Sequence, residues 1–256
     1  MRLTCRNQAV SKGEKMSCRI LLADRHELVR AGLKAVLESE PDLTVCGESG
    51  DGIDTIRLAV RSKPDIIIAD PWLPGANGLV LTRRILERRP SQKILIFGTV
   101  DSNEAVRGLL QAGVKGVVLK TDGVEDILDA IRALQMDRTY FTSAIESVIL
   151  REYLRPVPQT PPKHPAASLT LREQEVAQLL AEGRVTKEVG EILGTSVKTA
   201  ATHRSNLMRK IGVHNLAQMT LYAISHHLIE APTFQILAKV VELKPAETQS
   251  AHKAAA

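Results

Sequence analysis

LTLREQEVAQLLAEG (Leu169–Gly183), TKEVGEIL (Thr186–Leu193) and SVKTAATHRSNLMRKIGV (Ser196–Val213) decide the fold of the C-terminal part of this chain. Their apolar spacing predicts helices over Leu171–Ala181, Lys187–Leu193 and Val197–Ile211, with a fourth over Leu216–His227. Gly183 and Gly194 fall where the first two should end, and Ser196 is placed to cap the third by accepting a backbone N–H. Val176, Leu179 and Leu180 on the first helix, and Val189, Ile192 and Leu193 on the second, form apolar stripes. Two short helices joined by a turn give helix-turn-helix geometry.

The third helix is the informative one. From Ser196 to Gly212 it carries Lys198, Arg204, Arg209 and Lys210 and no acidic residue. At 100° per residue, Val197, Ala200, Ala201, Leu207, Met208 and Ile211 gather on one side, and Lys198, Thr199, Thr202, Asn206 and Arg209 on the other. A helix of that kind suits the major groove of double-stranded DNA, where Lys, Thr and Asn read base edges. Lys198, Thr199 and Thr202 are the base-reading candidates. Asn206, Arg209, Lys210, Ser196 and Lys187 are placed for phosphates, and His203, at the edge of the face, for either role or for packing. Arg204 falls within the apolar arc, so it is expected to lie along the packed surface and pair with Glu173 or Glu188. A solvated charged face is the bland alternative for the other cations, and the missing acids argue against it.

Working outward, Arg155–Ser168 holds Pro156, Pro158, Pro161, Pro162 and Pro165 and reads as a stiff extended linker. Before it, short β-rich runs at Ile20–Ala23, Leu43–Cys46, Ile66–Ala69, Ile94–Phe97 and Val117–Leu119 alternate with helical patterns. The helices are predicted over His26–Glu38, Gly52–Arg61, Gly78–Arg88, Ser102–Ala112 and Val124–Leu134. Five βα units imply a doubly wound α/β fold, a parallel sheet covered on both faces, with any ligand at the carboxyl ends of the strands. The expected organisation is an extension over 1–17 and the α/β domain over 18–134. A helical and Pro-rich linker over 135–168 joins it to the all-α domain over 169–230, and a tail covers 231–256 with a short helix near Phe234–Leu243. Met16, just before the first apolar run, is an alternative start.

Composition narrows the functions. At 44% hydrophobic and 25% charged residues the chain has an ordinary globular composition, and 3% aromatics leave few rings for stacking single-stranded bases. The net charge of +5 is weak evidence for DNA, because Arg2, Arg6, Lys12 and Lys15 against Glu14 supply more than half of it from the extension. Cys5, Cys18 and Cys46 are odd in number and unpaired by motif, so neither a disulfide framework nor a thiolate metal site is suggested, and a cytoplasmic location is expected. No apolar run reaches the length of a membrane span or a signal peptide core, so no membrane partner is expected. A rival enzyme reading, a small hydrolase or nucleotide-binding unit, finds no GxSxG, Walker A or GxGxxG motif.

The three C-terminal stretches resemble the LuxR-type helix-turn-helix of NarL/FixJ family response regulators, with Gly190 where the family usually has Ala and Ala201 where it often has Glu. LLADRHELVRAGL, IIIADPWLPGANG and GVVLK are similar to the receiver domain of the same family. The resemblance implies a two-component DNA-binding transcription regulator, not an enzyme, acting as a homodimer with a histidine kinase as partner if phosphorylation operates. It puts Leu216, Met219, Tyr222 and Ala223 of the fourth helix at a dimer contact, with packing inside one module as the alternative. Asp70 takes the phospho-acceptor position, Asp24 an acidic position after the first strand, and Lys120 the usual cation. Mg²⁺ would be held by Asp24 and Asp70.

Three positions in the receiver-like part also depart from the family pattern. Arg25 stands where a second carboxylate is usual, Gly98 where a hydroxyl is usual, with Thr99 adjacent, and Val117 where an aromatic is frequent. A guanidinium removes an oxygen ligand and adds repulsion, so Mg²⁺ binding is expected to be weak. Arg25 is expected to enter the cleft and pair with Asp24 or Asp70. That makes the domain a phosphorylation-independent pseudo-receiver governed by protein contacts, abundance or a ligand. The remaining alternatives are weak phosphorylation with Arg25 in solvent, and an adaptor that no longer binds DNA.

Overall fold

The computed structural model describes residues 17–100, 102–154 and 169–230. The prolines of the linker, the extension and the tail helix lie outside those residues.

The N-terminal domain is built from β1 (Cys18–Ala23), α1 (Glu27–Glu38), β2 (Leu43–Ser49), α2 (Gly52–Ser62), β3 (Ile66–Ala69), α3 (Gly78–Arg88), β4 (Lys93–Gly98), α4 (Asn103–Ala112), β5 (Gly116–Leu119) and α5 (Val124–Gln135). These five strands are parallel, in the order β2-β1-β3-β4-β5. The central strands are apolar without alternation, as a sheet covered on both faces requires. Ile66, Ile67, Ile68 and Ala69 of β3 are all buried. One face packs Leu21, Ile67 and Ile96 against α2, α3 and α4, and the other packs Ile20, Ile68 and Leu95 against α1 and α5.

The sixth strand, β6 (Tyr140–Phe141), pairs with β5 and leads into α6 (Ser143–Leu154). It belongs to a segment read from sequence as linker. A two-residue strand leaves no alternation to detect, and its place is fixed instead by pairing with Gly116 and Val117 and by Ile145 entering the core.

The C-terminal domain holds α7 (Leu171–Ala181), α8 (Thr186–Ile192), α9 (Val197–Ile211) and α10 (Leu216–Ser225). Thr170 and Glu173 form a capping box on α7, and Ser196 accepts from Thr199 N at the start of α9. Gly183, Gly194 and Gly212 take positive φ at the helix ends, which only glycine adopts without strain. Val176, Leu179, Val189, Ala200, Leu207, Met219 and Ala223 make one core.

Candidate functional site

Two places carry the chemistry: the carboxyl edge of the sheet and the outer face of α9. β1, β3 and β5 end at the same edge of the sheet, with β4 between the last two, and the residues after them converge. The Lys120 ammonium reaches Asp24 Oδ2 at 2.6 Å and also binds Asp70 Oδ2. Asp70 Oδ1 accepts from the backbone N–H of Trp72 at 2.7 Å. Both carboxylates are 3% exposed. Burial, reinforced by the charge of Asp24, pushes the Asp70 carboxyl up from its ordinary value, while Lys120 and the Trp72 N–H pull the other way. Burial alone would lower the Lys120 ammonium, but its hydrogen bonds to Asp24 and Asp70 outweigh it and the net direction is up.

The structure thus brings Asp24, Asp70 and Lys120 together and leaves the other expected members apart. Arg25 does not enter the cleft. Its guanidinium pairs with Glu230, beyond α10, and its Nε donates to His26 at 3.3 Å. The cation in the cleft is Lys120. Both partners of the Arg25–Glu230 pair are about a third exposed, at 36% and 29%, so the bond orients the domains more than it stabilises them. Arg25→Ala should weaken domain docking by no more than about 1 kcal/mol, read as a small change in the small-angle scattering profile.

Gly98 is buried against the ring that follows the acceptor. A Cβ at 98 would lie 2.7 Å from Cγ of Pro71 and closer still to Cδ. The missing hydroxyl is thus coupled to Pro71, and no side chain fits without moving that ring. Thr99 is exposed, with its carbonyl held by the Trp72 indole N–H at 2.8 Å. Pro74–Gly75 makes a tight turn after the acceptor, with Gly75 at φ 76°.

By their chemistry these residues are a poor donor set for Mg²⁺. Asp24, His26 and Asp70 place ligand atoms within 4.8 Å of one another. The third donor is an imidazole, which this hard cation does not favour, and an ammonium already sits between the two carboxylates.

The loop after Asp70 is also gripped by the C-terminal domain. Gly75 N–H donates to both carboxylate oxygens of Glu182 at 3.1 Å, and Asn77 N–H to Gln178 Oε1 at 2.9 Å. Gln178 Nε2 donates to the Leu73 carbonyl at 3.0 Å, and Asn77 Nδ2 to that of Leu228 at 2.9 Å. Arg84 of α3 makes a two-pronged bond to Glu175 of α7, at 2.6 and 2.7 Å. Sequence reasoning missed all of these. Glu175 and Gln178 are polar positions on an amphipathic helix, yet both are buried, because α7 packs against two domains at once.

Burial, with the nearby charge of Asp51, pushes the Glu182 carboxyl up from its ordinary value, against the pull of Gln178, Gly75 N–H and Arg184. A carboxyl whose docked value is raised favours docking in its protonated form. That contribution is complete below the ordinary carboxylate value and is lost as pH rises through the raised one. Docking should therefore tighten on mild acidification, and Glu182→Gln should flatten this dependence in scattering measurements.

On α9, Lys198, Thr199, Thr202, Asn206 and Arg209 are all exposed, whereas Ala200 and Leu207 are buried and Met208 and Ile211 half-buried. The packed arc is narrower than the angular sort predicts, since Val197 is 50% exposed and Ala201 is exposed too. Arg204 is exposed and donates to Thr186 Oγ1 at 3.1 Å, not to Glu173 or Glu188. Glu173 instead takes Lys210 at 2.8 Å, and Glu188 caps α8 through Val185 N–H. Thr202 Oγ1 donates to the Lys198 carbonyl, Ser196 and Thr199 share a hydroxyl contact, and Arg209 donates to Asn206. His203 is half-buried, and Lys187 is exposed beside Glu191 at 4.0 Å. On α10, Met219 and Ala223 are buried inside the module, while Leu216 and Leu221 are exposed at 49% and 67%.

Residues 20–132 match the response regulator receiver domain family, and residues 167–223 match the bacterial regulatory proteins of the luxR family. The transcriptional regulatory protein LiaR of Bacillus subtilis (strain 168) is 37% identical over 211 residues, 82% of this chain and 99% of that protein. The chain belongs to the LuxR-type response regulators. As such it is a two-component DNA-binding transcription regulator rather than an enzyme. Among solved structures, a LuxR-family two-component response regulator from Aurantimonas sp. SI85-9A1 is 30% identical over 54% of this chain and 99% of its own, with a TM-score of 0.52. RcsB from Salmonella enterica serovar Typhimurium, bound to promoter rprA in the presence of BeF3-, is 25% identical over 80% of this chain and 98% of its own, with a TM-score of 0.51. No helix among the described residues is long and apolar enough to cross a membrane.

Proposed function

We propose that this regulator binds double-stranded DNA sequence-specifically as a homodimer, with α9 in the major groove, and that its N-terminal domain works as a pseudo-receiver without Mg²⁺-dependent phosphorylation. The exposed donor face of α9 carries the first part. Lys198, Thr199 and Thr202 project from its first turns, where base edges are reached, and Arg209 lies further along toward the phosphates. The hydroxyls of Thr199 and Thr202 are bonded within the helix and rotate to serve bases. The promoter-bound RcsB supports DNA binding by a chain of this architecture.

Lys198→Ala and Thr202→Ala should each cost about 1–3 kcal/mol of specific binding. Arg209→Ala should instead weaken all sequences alike and lower the salt slope by about 1. Unchanged promoter binding in the first two variants removes α9 as the reading helix and favours the adaptor alternative.

The second part rests on the cleft: Arg25 offers it no carboxylate, its guanidinium being turned out to Glu230, and a side chain at 98 would overlap the Pro71 ring. Incubation with acetyl phosphate and Mg²⁺ should leave the intact mass unchanged. A phosphoryl adduct that disappears in Asp70→Asn restores a histidine kinase as the input.

A further inference from the structure

A cavity of about 290 Å³ opens between the two domains, walled by α3, α4 and the acceptor loop on one side and by α7 and the turn after α10 on the other. Its volume is at the lower end of small-molecule sites, and domain junctions are where such sites concentrate. Leu79, Leu109, Leu228 and Trp72 give it an apolar body. Its polar groups are biased in charge: Arg83, Arg107, His226 and His227 face it, against Glu104 as the one carboxylate among the described residues around it. Glu104 lies 3.7 Å from Arg107, which leaves the Arg83 side without an acid among the described residues around the cavity; Arg83 donates there to Gln174 Oε1 at 3.3 Å.

Two local features keep the space shaped. Gly108, inside α4, has only Leu79 Cδ1 within 4 Å of where its Cβ would stand, so the helix forgoes a side chain at the wall. His227 adopts a left-handed φ of 54°, uncommon for a residue with a side chain, and that conformation sets its ring 6.3 Å from the Trp72 indole.

We propose that this cavity is a binding site for a small amphiphilic organic anion, an aromatic carboxylate or sulfonate, with its ring system against Trp72 and Leu79 and its charge toward Arg83. An occupant would brace α3 and α4 against α7 and so act on the junction that grips the acceptor loop. The site supplies an input that needs neither metal nor phosphoryl group. Binding is measured without DNA and without a phosphodonor, so the test stands or fails separately from the proposed function.

The probe is 1-anilinonaphthalene-8-sulfonate, titrated into the full-length protein, with Trp72, the chain's one tryptophan, as energy donor. Saturable binding with quenching of Trp72 emission is expected. Gly108→Leu, at a residue that takes part in none of the inter-domain hydrogen bonds or ion pairs described above, should weaken it by about tenfold or more, as should Arg83→Met. The uncharged N-phenyl-1-naphthylamine should bind about tenfold more weakly. A variant that loosened its fold would take up more of the dye, so a loss of binding reports the site itself. Absence of saturable binding, or binding indifferent to both substitutions, overturns the proposal. Equal binding of the uncharged analogue overturns the anion assignment.

Discussion

Gly98→Thr, the substitution that puts a hydroxyl back where receiver domains of this family carry one, is expected to destabilise the N-terminal domain by about 3 kcal/mol, the upper end of overpacking costs. The reason is local. Gly98 closes β4 directly above Pro71, and any β-carbon there overlaps the pyrrolidine ring. Pro71 cannot easily give way, because it is fixed between Asp70, whose N–H is bonded to Ala23, and Trp72, whose N–H and indole are both engaged. Its own carbonyl accepts from Gly78 N–H at the start of α3. Movement would therefore propagate into the acceptor, the capping of α3 and the grip of the C-terminal domain. Urea unfolding followed by Trp72 emission measures the loss. Pro71→Ala alone should cost less than about 1 kcal/mol, through a freer unfolded chain. Pro71→Ala combined with Gly98→Thr should recover most of the stability that Gly98→Thr loses, so the two substitutions are strongly non-additive. A Gly98→Thr protein as stable as the parent would show that the ring does not hold the site shut. On the proposed pseudo-receiver reading, phosphoryl acceptance would call for changes at 25, 71 and 98 together, and Arg25→Asp by itself should not suffice.

That coupling also marks how far the sequence could be read. The alternation of apolar strands and amphipathic helices was legible because each element repeats its signal over several residues, and the helices over Gly78–Arg88, Leu171–Ala181 and Val197–Ile211 have the bounds that spacing predicts. The convergence of Asp24, Asp70 and Lys120 followed from their places after parallel strands. Arg25 was misplaced because the rule that put it in the cleft, attraction to two buried carboxylates, omits its competitors. Lys120 is already there, and Glu230, 205 residues away in the chain, offers a partner with less desolvation. The same omission explains α7. Periodicity finds one buried face, whereas a helix between two domains buries two, and the second can be polar if every group on it finds a partner. Gln178 satisfies that condition with three: it accepts from Asn77 N–H and donates to the Leu73 carbonyl and to Glu182.

The strongest single tie at that second face is Glu175. Its carboxylate is 7% exposed and takes both prongs of Arg84 from the N-terminal domain, with a further bond from Arg172 on its own helix at 3.0 Å. The same contact shows on the other partner, because the hydrogen bond to Glu175 holds the Arg84 guanidinium above its ordinary value against a modest desolvation cost. Removing one member of a buried pair usually costs about 3–5 kcal/mol. Here the figure is smaller, because Arg84 is 32% exposed and can turn wholly to Glu87, 3.3 Å away. Glu175→Ala should therefore weaken domain docking by about 2–3 kcal/mol, well beyond the surface pair of Arg25 and Glu230. The core of the C-terminal domain, centred on Val176, Leu179 and Leu207, does not include the pair, so the module should stay folded. The expected signature is an expanded scattering profile and a red-shifted Trp72 emission, with unchanged helical circular dichroism. In a cycle with Arg84→Ala the two losses should not add, since each removes the same bond. Additive losses, or a compact Glu175→Ala protein, would mean that the loop contacts of Gln178 and Glu182 hold the domains unaided. If the losses coincide, control of this regulator runs through a junction of α3 with α7, and DNA affinity of the undocked variant measures how far docking restrains α9.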